Sequence, residues 1–281
     1  MNKKDSLGDR MKEYEGVSRN YLTRRVPVII RLDGKAFHTF TRGMKKPFDD
    51  IMMGSMQETM KRLCEEVQGC VFGYTQSDEI TLVLTDYATI KTDAWFGYNV
   101  QKMTSVAASI ATLAFNNAYS HILTERMTDH LINYPVEDMD GYRKENDYFL
   151  CLDKKRHTAM FDARAFSLPK DEVCNCLIWR QQDATRNSIE AAGHANFSQK
   201  ELHGKSCNEI QEMLFNERGI NWNDYPTDCK RGSACYKVQK VETIVSYKNP
   251  EEQIDVERNV WVIDDEIPIF SQEREFVERF L

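Results

Sequence analysis

The sequence predicts an α+β domain built on a split βαβ (ferredoxin-like) sheet with helices packed on one face. Three observations predict it. Strand-length apolar runs alternate with stretches of helical period in the order αβαββαβαα, followed by a β-rich end. The segment "GCVFGYTQSDEITLVLTD" reads as strand, tight polar turn and strand, which marks an antiparallel hairpin between the helical stretches. The chain has 281 residues, 41% hydrophobic and 29% charged, enough to bury a sizeable core and ordinary for a globular protein.

Taken in order, residues 7–24 read as a helix, and "VPVIIRLD" to residue 33 as a strand whose β-branched run suits burial. A helix over 49–67 follows from Met52, Met53, Met56, Met60 and Leu63 at helical spacing, a stripe suited to the core. Val71–Tyr74 and Ile80–Leu84 form the two arms of the hairpin. Residues 93–118 read as a long helix whose Ala, Ser and Thr content lets it lie close to a sheet. A strand at 159–169 stops at Pro169, helices follow at 171–192 and 207–217, and strands at 234–247 and 257–264. These elements make one catalytic-sized domain over 1–246, with 247–281 as an acidic C-terminal extension.

Several classes are excluded. No apolar run approaches the roughly 20 residues that a membrane-spanning helix needs. The N-terminus lacks the apolar core of a secretory signal, so the expected location is the cytoplasm and the eight cysteines are expected as reduced thiols. No Cys-x-x-Cys pair supports a zinc ribbon. Net charge is −7, yet residues 1–46 hold twelve Lys/Arg against five Asp/Glu, and residues 251–281 hold ten acidic against three basic residues. A split of this kind suits a protein that meets a polyanion on one face, and equally an ordinary solvated surface.

The chemistry gathers at two strand ends. The first strand delivers Asp33 and Gly34 at its exit, and the hairpin turn carries Gln76, Ser77, Asp78 and Glu79. A turn is the commonest meaning of Asp-Gly, so a plain turn is one reading. The other is a metal site. In a split βαβ sheet the two elements are neighbouring central strands, and paired carboxylates with a backbone carbonyl form a hard oxygen site suited to Mg²⁺. Two such ions serve phosphoryl or nucleotidyl transfer. Cations that could meet a phosphate are Lys45, Lys46, Lys102, Lys230 and Arg231, the last two beside Gly232 and Ser233; each also reads as a solvated surface charge. His38 suits a nucleotide contact or a turn cap.

Together "RLDGKAFHTF", "KKPFDD", "GYTQSDEITLV", "KMTSVAAS", "MFDARAF", "WRQQDATRNS" and "KRGSACYK" resemble the tRNA(His) guanylyltransferase family, in family order over about residues 7 to 240. The resemblance implies a polymerase-like or cyclase-like palm that works in the 3′-to-5′ direction. Such enzymes add nucleotides to the 5′ end of tRNA after activating it with ATP. By motif position Asp33, the Gly34 carbonyl and Asp78 would hold two Mg²⁺ ions, with Glu79 beside them as a catalytic residue. Arg31, Lys35, Ala36, Phe37, His38, Lys46, Asp49, Ser77 and Lys102 would line the ATP or GTP site. Arg180, Lys230 and Arg231 would meet tRNA. Homotetramers built as dimers of dimers are also implied.

One stretch departs from the eukaryotic pattern. Where members that add G to tRNA(His) carry His-Ile-Asn-Asn-Leu-Tyr-Asn, residues 184–191 read "ATRNSIEA". The chain therefore resembles the bacterial and archaeal guanylyltransferase-like branch, which favours templated repair of truncated 5′ ends. Two other readings stay open. A nucleotide cyclase would use "QSDEI" as its catalytic hairpin but normally has a double glycine there. A non-catalytic RNA-binding module would leave Asp33 and Asp78 without work.

Overall fold

The computed structural model describes residues 6–134, 138–245 and 253–281, side chains at 243–245 and 253–254 excepted. Helix α1 (Ser6–Gly16) is followed by β1 (Val28–Gly34), a one-turn helix α2 (Phe37–Phe40), α3 (Asp50–Glu66), β2 (Cys70–Gln76) and β3 (Glu79–Leu84). Next come α4 (Val100–Asn133), α5 (Met139–Asp153), β4 (Phe161–Ser167), α6 (Lys170–Asn196), α7 (Gln199–Leu202), α8 (Cys207–Arg218) and α9 (Thr227–Arg231). Strands β5 (Ser233–Val245) and β6 (Gln253–Asp264) and the short α10 (Glu275–Glu278) end the chain.

The strands form one antiparallel sheet in the order β4-β1-β3-β2-β5-β6. Its first four strands have the split βαβ arrangement: β3 lies between β1 and β2, and β4 flanks β1. The α+β class and its sheet stand as expected. Helices on one face only do not. Val28, Ile30 and Leu32 of β1 point with Ile80, Leu82 and Leu84 of β3 into a core shared with α3 and α4. Ile29, Val83, Phe72 and Tyr74 point the other way, against Val173 and Leu177 of α6 and against Phe270, Phe276 and Val277. β1 and β3 thus carry apolar residues on both faces because both faces are covered.

Boundaries differ where local signals compete. The first helix stops at Gly16 rather than at 24. The long helix starts at Val100 rather than 93, since Phe96, Gly97 and Tyr98 hold positive φ and Asn99 caps the helix, its Oδ1 accepting the Lys102 N–H at 3.0 Å. Helix α5 has no counterpart among the expected elements. Asp138 caps it, with Phe149 and Leu152 buried. The acidic segment contributes β6, paired with β5 from Ala234↔Asp264 outward, and the residues that complete the second core. From 253 onward it is continuous with the sheet; the expected boundary at 246 lies outside the described residues.

Helix α6 is the element that positions the site. Its first half packs under the sheet, and its second half projects past the sheet end. There Ile189 and Ala192 join Phe197, Leu202, Ile210 and Leu214 in a separate small core with α7 and α8.

Candidate active site

The β2–β3 hairpin turns through Ser77 and Asp78, with Gln76 paired to Glu79. Ser77 takes φ 51, a left-handed conformation that a two-residue hairpin turn uses. Across the sheet Asp33 pairs with Glu79, and the Gly34 N–H donates to the Asp78 carbonyl at 3.0 Å. The two carboxylates expected from the sequence are therefore brought to one sheet end. Burial, and then the Asp33 charge, push the Asp78 carboxyl above its ordinary range. Among the described residues, the only side-chain bond to that carboxyl is from the Ser77 hydroxyl at 3.1 Å, and the Asp33 carboxylate has none. Two half-buried carboxylates that repel each other and keep free oxygens are a donor set that fits Mg²⁺, which asks for few protein ligands and keeps waters and substrate phosphates.

Gly34 is required by packing. A Cβ there would overlap the Phe37 ring, which is held against Phe40, Phe115 and Phe161 at centroid distances of 5.0, 5.4 and 5.2 Å. Ala36, at φ 55, starts α2, and the Lys35 N–H donates to the Met160 carbonyl at 2.9 Å. These two residues shape the turn after β1, and neither side chain lines the adjacent cavity.

That cavity, of about 460 Å³, opens beside Asp78 between the hairpin tip, the α2–α3 segment, α6 and α9. Phe37, His38, Lys46, Asp49 and Ser77 line it. Lys46 is exposed, and among the described residues no hydrogen bond or ion pair engages its ammonium, whereas the Lys45 Nζ is held by Glu145 at 2.7 Å. Asp49 is buried and fully used. It caps α3 through the Ile51 and Met52 N–H groups, and accepts from the Lys45 N–H and the Tyr148 hydroxyl at 2.9 and 2.6 Å. It is a wall and an anchor for the lysine loop.

Three assignments need correction. Arg180 is only 7% exposed, its Nε 2.6 Å from Glu79 and its NH2 2.8 Å from Asp183, so it braces the hairpin instead of facing RNA. Burial alone would lower its pKa, but Glu79 and Asp183 outweigh it and raise the value. Glu79 is raised by burial against the opposing pull of Arg180 and Arg31. Arg31 lies behind Glu79, at 3.7 Å, with its guanidinium 5.5 Å from the Trp179 ring, outside the cavity. Lys102 sits at the opposite sheet end: it precedes Phe115, the α4 residue that touches Phe37, by about 20 Å of helix. Lys230 and Arg231 are half-buried beside the cavity. The Lys230 Nζ is anchored on the Asn223 carbonyl at 2.6 Å, and the Arg231 carbonyl accepts from Tyr74.

Other lining residues are given no role in the site by the sequence: Gln76, Ala184, Asn187, Ser188, Ala191 and Cys229. Four of them recur at i, i+3, i+4 and i+7 inside "ATRNSIEA", a small, polar stripe on one helix face. That periodicity is legible in the chain; what it faces is not. Burial first, and then Asp228, push the Cys229 thiol up to about 12, so it stays protonated.

The family profile described as tRNAHis guanylyltransferase matches residues 8–169. The chain belongs to that family. Within it, a bacterial tRNA(His) guanylyltransferase-like protein solved in complex with ATP is 39% identical with a TM-score of 0.75, covering 98% of both chains. A bacterial guanylyltransferase-like protein in complex with GTP is 38% identical with a TM-score of 0.71, covering 98% of this chain and 99% of that one. A probable tRNA(His) guanylyltransferase of Dictyostelium discoideum is 25% identical over 79% of each sequence. The chain is a nucleotidyltransferase with the expected palm-like fold, and no described helix is long and apolar enough to cross a membrane.

Proposed function

We propose that this guanylyltransferase-family chain extends the 5′ end of tRNA in the 3′-to-5′ direction, pairing each added nucleotide with the opposite strand. The observation that carries the reading is the junction of Asp33 and Asp78 beside a nucleotide-sized cavity. The ATP and GTP complexes of the bacterial relatives support ATP and GTP as ligands of this cavity.

Asp33, Asp78 and the Gly34 carbonyl would hold two Mg²⁺ ions. When bound, these supply charge neutralisation at the phosphates and activation of the attacking oxygen. The chain's own groups do the rest. Lys46 contributes a point charge to the triphosphate, His38 stands at the cavity wall, and the Ser77 hydroxyl holds the Asp78 carboxylate. Arg180 fixes Glu79 and thereby the hairpin. The narrow, small-residue face of α6 replaces the bulkier His- and Asn-containing stretch of the eukaryotic members, which supports pairing-directed addition over G addition fixed by the protein. A homotetramer built as a dimer of dimers, working in the cytoplasm, completes the reading.

The test uses purified protein, Mg²⁺, ATP and all four nucleoside triphosphates. The RNAs are a tRNA lacking its first 5′ nucleotide and a full-length tRNA(His). Template-matched restoration of the truncated tRNA is expected. Extension of tRNA(His) alone would sink the repair reading. Extension of neither, with cyclic nucleotide formed from GTP, would favour a cyclase.

A further inference from the structure

The cavity accounts for one side of the carboxylate pair. The other side is a shelf. β4 is the edge of the sheet, and at the level of the site its Asp162 and Arg164 pair with Asp33 and Arg31 of β1. Side chains of Asp162 and Arg164 are 60% and 51% exposed, so among the described residues no helix covers this corner on the α6 side. One wall rises from it. Trp179 of α6 is 49% exposed, with the Arg180 guanidinium 4.5 Å and the Arg31 guanidinium 5.5 Å from its ring centre.

The Trp179 ring, close to two guanidiniums of which Arg180 is tied to Glu79, is an aromatic surface held in place with half of its area open. Base stacking on such a surface is tolerant of sequence, as an enzyme copying many templates requires. Arg164 on the outer strand offers a cation to a backbone phosphate. It shares Asp162 at 3.2 Å, and this contact is weak at such exposure. The acidic row Asp162, Asp33 and Glu79 opposes RNA unless divalent cations offset it.

We infer that this β4–β1 shelf seats the 5′ end of the RNA, with its terminal base pair stacked on Trp179 and its phosphate within reach of Arg164. The inference rests on the RNA-extension reading and adds where the second substrate enters: along the sheet edge, opposite the nucleotide cavity. Trp179 is on this view a positioning residue for RNA, and the basic contact surface lies at β4 rather than at Arg180.

The test places 2-aminopurine at the first position of a 5′-monophosphorylated tRNA acceptor hairpin, and follows its fluorescence with KM for RNA and for nucleotide. Wild-type protein should quench the probe. Trp179→Ala should lose the quench and raise the RNA KM about tenfold, the scale of one stacked base, with nucleotide KM held within about twofold. Trp179→Phe should keep most of both. Arg164→Glu should weaken RNA binding and leave nucleotide KM alone. An unchanged quench and RNA KM in Trp179→Ala would overturn the inference, as would an equal loss in Trp179→Phe or a matching rise in nucleotide KM. If wild-type protein extends no RNA, the functional reading fails, while the quench still judges the shelf on its own.

Discussion

Arg180→Ala is the perturbation whose size follows most directly from the site. The side chains of Arg180 and Glu79 are 9% and 8% exposed and meet at 2.6 Å. Truncating one partner of such a buried pair typically costs about 3–5 kcal/mol, because the other charge is left desolvated. Glu79 keeps a long contact to Arg31 at 3.7 Å and Asp183 keeps Arg186 at 2.6 Å, so the lower end applies. About 3 kcal/mol corresponds to a fall in Tm of about 6–12 °C for a chain of this size. The pH dependence has a definite sign. Burial already holds the Glu79 carboxyl above its ordinary range, and losing Arg180 raises it further. A raised carboxylate pKa penalises the folded state above that pKa and not below it. The deficit should therefore be full at neutral pH and shrink as pH falls through the raised Glu79 value. Thermal unfolding from pH 5 to 8 measures it, and Glu79→Gln combined with Arg180→Met should recover at least half of the loss. A direct phosphate contact would behave otherwise: the variant would keep its Tm, and the salt slope of RNA binding would drop by about one. That outcome would refute the bracing role.

Asp78→Asn should abolish nucleotide addition yet raise the Tm of the metal-free protein, since it removes a desolvated charge that Asp33 repels; a lowered Tm would refute the repulsion. By the same shift, Mg²⁺ affinity should weaken as pH falls through a value above the ordinary carboxylate range, followed by Mg²⁺ titration of activity between pH 5 and 7.5. Lys46→Ala should raise nucleotide KM about tenfold, and Lys102→Ala should leave it within about twofold; reversed effects would return the triphosphate to the α4 N-terminus. Gly34→Ala should cost about 1–3 kcal/mol by overpacking against the clamped Phe37 ring, read by chemical denaturation.

Much of the molecule is legible in the amino-acid sequence. The strand signals at 26–33, 71–74 and 80–84 hold because their β-branched and aromatic residues are buried in a sheet, and the Met stripe of α3 is core for the reason its spacing suggests. Asp33 and Asp78 can be placed together once the hairpin and the preceding strand are taken as neighbours. Helix α5 escapes because its apolar contacts, Phe149 and Leu152, are sparse within a charged segment.

Local sequence by itself determined the strands, most of the helices, the residue types at the two carboxylate positions and the family, because periodicity and motif spacing are properties of the chain. Burial and partnership were decided only by the tertiary structure. A sequence shows Arg180, Arg31, Asp49 and Lys102 as similar charges near motifs. Packing α6 under the sheet turns Arg180 into an internal brace, the α3 cap consumes Asp49, and the length of α4 carries Lys102 to the far sheet end. The same packing puts the small face of "ATRNSIEA" on the cavity and leaves half of Trp179 open beside β4. Charge type is written residue by residue, but what a charge meets depends on elements a hundred residues away in the chain.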